Sequence, residues 1–90
     1  MNSSEPVLGS LTLYTTKRCG DCKMAKATLD RAAVEYHEID IDENADAAEI
    51  VLAINGGYRS VPTIVLPDGR VLVEPSRAAL LTALGLSAGI

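Results

Sequence analysis

Residues 15–26 read Thr15-Thr16-Lys17-Arg18-Cys19-Gly20-Asp21-Cys22-Lys23-Met24-Ala25-Lys26, and they hold both cysteines of the chain, two residues apart and set among four basic side chains. What flanks this stretch decides the fold. Before it, Leu11-Thr12-Leu13-Tyr14 alternates apolar and polar residues and then turns polar, as a strand running into a loop does. From Asp21 onward the period changes: Cys22, Ala25, Leu29, Ala32 and Ala33 share one helical stripe while Lys23, Lys26, Asp30 and Arg31 face away. The spacing predicts an amphipathic helix that begins inside the Cys-x-x-Cys itself.

Working outward, Tyr36-His37-Glu38-Ile39-Asp40-Ile41 has β-rich alternation and reads as a second strand, parallel to the first because a helix intervenes. Asn44 or Asp46 can cap a helix running through Ile50, Val51 and Ile54, which Asn55-Gly56-Gly57 then ends. Thr63-Ile64-Val65-Leu66 is apolar enough for a buried strand, and Pro67-Asp68-Gly69-Arg70 reads as a tight turn into Val71-Leu72-Val73, its hairpin partner. Ser76 is an N-cap for a last helix with Ala79, Leu80, Ala83 and Leu84 on its apolar face, before Gly85. The order βαβαββα predicts an α/β fold with a four-stranded mixed sheet and helices on both faces.

Ninety residues make a single domain over 1–90, with residues 1–9 expected as a flexible N-terminal extension. Hydrophobic residues at 48% and charged residues at 22% fit an ordinary folded domain rather than a disordered one. Phe and Trp are absent and the net charge is −4. The chain therefore has neither stacking platforms nor a long positive field for nucleic acid, which is excluded as a partner. The opening MNSSEPVLGS has an acid and a proline where a secretory leader needs a basic start and an apolar run. No run approaches the ~18 apolar residues of a membrane span. A cytoplasmic chain without membrane contact is expected, and a monomer.

In a reducing cytosol a close cysteine pair reads as catalytic or metal-binding rather than as a structural cross-link. A closed zinc site needs four ligands, and only His37 remains as a further nitrogen or sulfur donor, so no metal is assigned. His37 itself, on a strand between Tyr36 and Glu38, reads as a surface residue. Cys19 stands at a helix N-terminus, where unpaired backbone N–H groups and the helix dipole favour a thiolate. Lys17, Arg18, Lys23 and Lys26 add positive charge, while Glu35, Glu38, Asp40, Asp42, Glu43, Asp46 and Glu49 gather in the segment that follows. Cys22, one turn further in, is placed to attack a mixed disulfide on Cys19.

The motifs YTTxxCGxC (Tyr14 to Cys22) and NGGxRxVPT (Asn55 to Thr63) resemble the glutaredoxin family of the thioredoxin fold, most nearly its mycoredoxin-type members. The resemblance spans nearly the whole chain. It implies that the Val61–Pro62 peptide is cis, that Pro62 faces the cysteine pair, and that the backbone of Val61 pairs with the peptide portion of a bound thiol. It also places Arg59 to hold a substrate carboxylate and makes Lys17 a second candidate for that task, although many glutaredoxins carry their lysine at the position of Thr16. A further departure is Glu74-Pro75-Ser76-Arg77, where those proteins have a Gly-Gly and acidic pair. A thiol other than glutathione, such as mycothiol or bacillithiol, fits a site lacking those groups. Asp21, between the cysteines, competes with the thiolate for the same positive field, which points to a potential nearer thioredoxin's, about −270 mV, than DsbA's, about −120 mV.

The resulting expectation is a dithiol oxidoreductase that reduces mixed disulfides between proteins and a low-molecular-weight thiol through Cys19 and Cys22, with no bound cofactor. Two rivals stay open at this level. One is a thioredoxin-like electron donor recycled by a flavin-dependent reductase; the other is a non-catalytic module holding an iron–sulfur cluster between two chains.

Overall fold

The computed structural model describes residues 4–7 and 9–86. Along the chain run β1 (Leu11–Thr15), α1 (Gly20–Arg31), β2 (Tyr36–Asp40), α2 (Ala45–Ile54), β3 (Thr63–Val65), β4 (Val71–Val73) and α3 (Arg77–Ala83). This is the order that the periodicities predict. The four strands form one sheet in the order β2-β1-β3-β4. β1 and β2 are parallel, with Leu11 opposite Tyr36 and Thr15 opposite Asp40, while β1/β3 and β3/β4 are antiparallel.

Strand alternation sorts the core into two layers. Leu11 and Leu13 point to one face, where they pack with Ala25 and Leu29 of α1, Leu80 of α3, Ile64 and Leu66. Tyr14 points to the other, with Ile41, Val65 and the α2 residues Ala47 and Val51. Helices α1 and α3 thus cover one side of the sheet and α2 the other.

The ends of the elements follow local chemistry. Asn44 and Ser76 cap α2 and α3 by accepting the N–H of Ala47 and Ala79 at 3.0 Å each. In the hairpin, Asp68 accepts the N–H of Arg70 at 3.1 Å and Gly69 takes the left-handed conformation, φ 93°, which closes the predicted turn.

Two details differ from the sequence expectation. Ala33 is not on the buried stripe of α1: the helix ends at Arg31, and Ala33 lies exposed beyond it at φ 56°. The N–H groups of Ala33 and Val34 there bond the carbonyls of Asp30 and Leu29, a helix-closing turn that favours glycine and strains alanine by about 1–2 kcal/mol. On α3 the buried residues are Leu80 and Leu81, whereas Ala79 is exposed. The described part of residues 1–9 makes hydrogen bonds to the rest of the chain. Ser4 is buried, its carbonyl accepts the Tyr14 hydroxyl at 2.8 Å, and the Gly9 N–H donates to the Pro67 carbonyl.

Tyr14 is the largest fully buried side chain among the described residues, and burial, helped by the negative charge of Glu5, pushes its pKa from the usual 10 to about 12. Its neutral form is the one the fold accommodates. The stability this contributes is complete below about pH 10 and is lost as pH rises toward 12. Stability measured by denaturant unfolding should therefore fall across this alkaline window, and Tyr14→Phe, less stable at neutral pH by about 1 kcal/mol, should show a distinctly shallower fall.

Candidate active site

β1 delivers the chain to a four-residue loop, residues 16–19, and α1 starts at Gly20. Cys19 is the N-cap of that helix, in extended conformation (φ −110°, ψ 110°), and its sulfur accepts the Cys22 N–H at 3.0 Å. A side-chain oxygen usually fills this role. Here a sulfur does, so the group that caps the helix is also the group that the helix N-terminus would stabilise as an anion. Cys19 is partly exposed while Cys22 is buried, 1% accessible. The two are joined as a disulfide with Cα atoms 5.1 Å apart, inside the span such a bond requires. After reduction the outward sulfur is that of Cys19.

Opposite this sulfur stands the segment before β3. The carbonyl oxygen of Val61 lies 3.7 Å from Cys19 Sγ, and the Val61–Pro62 peptide is cis, as the resemblance implies. Pro62 is buried, and its carbonyl accepts the N–H of Glu74 at 2.9 Å. The loop is fastened from the other side by a chain of three side-chain bonds. Asn55 Nδ2 donates both to the Val51 carbonyl at 3.1 Å and to Thr63 Oγ1 at 3.0 Å; that hydroxyl donates to the Ser60 carbonyl at 2.7 Å. Thr63 is wholly buried. From the sequence, Asn55 reads as a helix stop and Thr63 as a strand start, and the motif that runs between them gives neither side chain a role at the site. The overlooked signal is that a threonine opening a buried strand must find a partner for its hydroxyl.

Charge around the sulfur is less lopsided than the sequence implies. Lys17 pairs with Glu43 at 2.6 Å, which raises its pKa through the hydrogen bond and the carboxylate charge. Lys26 pairs with Glu38 at 3.0 Å, and Glu38 also accepts the Thr15 hydroxyl at 2.9 Å. Arg59 pairs with Asp42 at 2.5 Å. Among the described residues Arg18 and Lys23 are exposed and have no ion-pair partner, so of the four cations beside the cysteines two remain to act on a thiolate. Asp21 is exposed in the first turn of α1, and His37 is exposed on β2. The described residues contain no group of three or more His, Cys, Asp or Glu arranged to hold a metal, and no helix long and apolar enough to cross a membrane.

Comparison with known proteins gives a consistent picture. The glutaredoxin family pattern matches residues 11–72. A Mycobacterium tuberculosis protein assigned to the glutaredoxins is 44% identical over 70 residues, covering 78% of this chain and 83% of its own. Mycoredoxin 1 of Corynebacterium glutamicum is 34% identical over 74 residues, 82% of this chain and 91% of its own. Among solved structures, a glutaredoxin from Archaeoglobus fulgidus superposes with a TM-score of 0.72 at 26% identity, covering 84% of this chain and 86% of its own.

The Asn55–Thr63–Ser60 chain is testable by stability. Thr63→Val strands the Asn55 amide and should cost about 1–3 kcal/mol, seen as a fall in melting temperature. Combined with Asn55→Ala, the two losses should be non-additive by at least about 0.5 kcal/mol; simple additivity would show that the two side chains do not act together.

Proposed function

This chain belongs to the glutaredoxin family and is a thiol–disulfide oxidoreductase, and we propose that it reduces mixed disulfides between proteins and a low-molecular-weight thiol, with Cys19 as nucleophile. The observation that carries the reading is the Cys22 N–H aimed at Cys19 Sγ at the start of α1, with the Cys22 sulfur buried beneath. At the ordinary cysteine pKa of about 8.5 only a few per cent of a thiol is ionised at neutral pH, whereas a helix N-terminus and nearby cations bring that fraction up many-fold.

In the proposed reaction the Cys19 thiolate attacks the small-thiol sulfur of the mixed disulfide. A new disulfide forms between Cys19 and the small thiol as the old one breaks, and the protein thiolate leaves and takes up a proton. The adduct is then cleared in one of two ways. A second small thiol attacks its own counterpart, giving the small-molecule disulfide and free Cys19. Alternatively Cys22 attacks Cys19, releasing the small thiol and forming the Cys19–Cys22 disulfide, which a further two small thiols reduce. Val61 supports this reading because its backbone borders the sulfur, and Pro62 because it has no N–H to compete for the thiolate. Lys17 and Arg59 are the cations on hand for a substrate carboxylate. The co-substrate is mycothiol, bacillithiol or glutathione, and the setting is a cytoplasm whose thiol pool returns the pair to its reduced form.

The test mixes reduced protein with mixed disulfides of glutathione, mycothiol, bacillithiol and coenzyme A and follows thiol transfer to Cys19 by intact mass. Fast transfer from at least one is expected, abolished by Cys19→Ser; turnover surviving that substitution would refute the scheme. Cys22→Ser retains activity under the first clearance route and loses it under the second. Uniformly slow transfer, with turnover by thioredoxin reductase and NADPH, would favour a reductase-fed donor instead.

Asp21 offers a separate check. Removing its charge in Asp21→Asn should lower the Cys19 pKa, read from the pH dependence of alkylation, and raise the reduction potential.

A further inference from the structure

The two cations available for a substrate carboxylate are both already engaged, and by neighbouring residues of one turn. Lys17, in the β1–α1 loop, is held by Glu43 at 2.6 Å, and Arg59, in the α2–β3 loop, by Asp42 at 2.5 Å. The turn that supplies these acids is fixed. The Asp42 N–H donates to Asp40 Oδ1 at 2.8 Å, the Glu43 N–H to the Asp40 carbonyl at 3.1 Å, and buried Ile41 donates its N–H to the Thr15 carbonyl at 2.9 Å. Thr15 is two residues before Lys17, so the turn is anchored on the strand that feeds the cysteine loop. Arg59 is likewise two residues from Val61, whose carbonyl borders Cys19 Sγ. Two positive and two negative charges are therefore paired on the loops that flank the cysteine segment.

Resting on the reading of this site as a small-thiol site, we propose that Asp42 and Glu43 are selectivity residues, which occupy Lys17 and Arg59 as built-in carboxylates and so disfavour thiols that carry carboxylates. An incoming carboxylate must displace a tethered one that competes at high effective concentration. At Lys17 and Arg59 it also meets no uncompensated positive charge, and like charge from the two acids repels it. A thiol whose recognition portion is a neutral sugar or polyol loses nothing by this arrangement. Each ion pair is exposed, so each acid shifts the preference only roughly two- to fivefold, and both together on the order of tenfold.

The experiment compares two mixed disulfides of one reporter peptide, one with glutathione and one with glutathione diethyl ester, which differ only in the two carboxylates. Transfer rates to Cys19 are measured for the full native chain, Asp42→Asn, Glu43→Gln and the double variant, each checked for an unchanged melting transition. The native protein should favour the ester or treat both alike. The acid-to-ester ratio should rise in each single variant and by on the order of tenfold in the double variant, and added salt should erode the gain. A ratio that stays within twofold of native in the double variant overturns the selectivity role while leaving the mixed-disulfide reaction standing. Failure of Cys19 to take a thiol from either probe removes the proposed reaction, and this inference with it.

Discussion

Strand β1 is withdrawn from water along its whole length, Leu11 to Thr15, and a strand in that position has to be covered on both faces and paired at both edges. Leu11 and Leu13 call for α1 and α3 on one side; Tyr14 calls for α2 on the other. The parallel partner β2 requires the crossover through α1, and the antiparallel partner β3 brings its own hairpin. Since β1 runs straight into the cysteine loop, a strand buried along its whole length sets where Cys19 stands.

Around that point the site is assembled from pieces that are weak alone. The helix start offers N–H groups, the Val61–Pro62 segment offers a carbonyl and a face without a donor, and Asn55, Thr63 and Ser60 keep the second piece in register with the first. A sulfur that doubles as N-cap couples reactivity to the integrity of α1. Burying Cys22 beneath it leaves the Cys19 sulfur as the outer one of the pair; in the proposed reaction that sulfur meets substrates and Cys22 resolves adducts.

Electrostatics refine this frame rather than create it. Lys26 and Glu38 join α1 to β2, and Lys17 and Arg59 are drawn to the turn after β2. The positive charge facing a thiolate is thereby reduced to Arg18, Lys23 and the helix N-terminus, with Asp21 opposing them. On the proposed reading, such a site favours substrates that do not depend on ionic anchoring.

How much of this was legible in the chain follows from the range of the interactions. Strand alternation, helical stripes, the caps at Asn44 and Ser76, the turn at Asp68-Gly69 and the Cys19–Cys22 spacing are set within a few residues, and the sequence alone determined them along with the family. Ala33 escaped because an alanine carries no mark of a left-handed helix end. The isomer at Val61–Pro62 could be anticipated only through the resemblance, since local preference for proline favours trans. The Tyr14–Ser4 bond, the Asn55–Thr63–Ser60 chain and the pairing of Lys17 and Arg59 with Glu43 and Asp42 were decided only by the tertiary structure. Each joins segments that the order β2-β1-β3-β4 brings side by side, and neither composition nor periodicity says which of several acids will face a given cation once the sheet has formed.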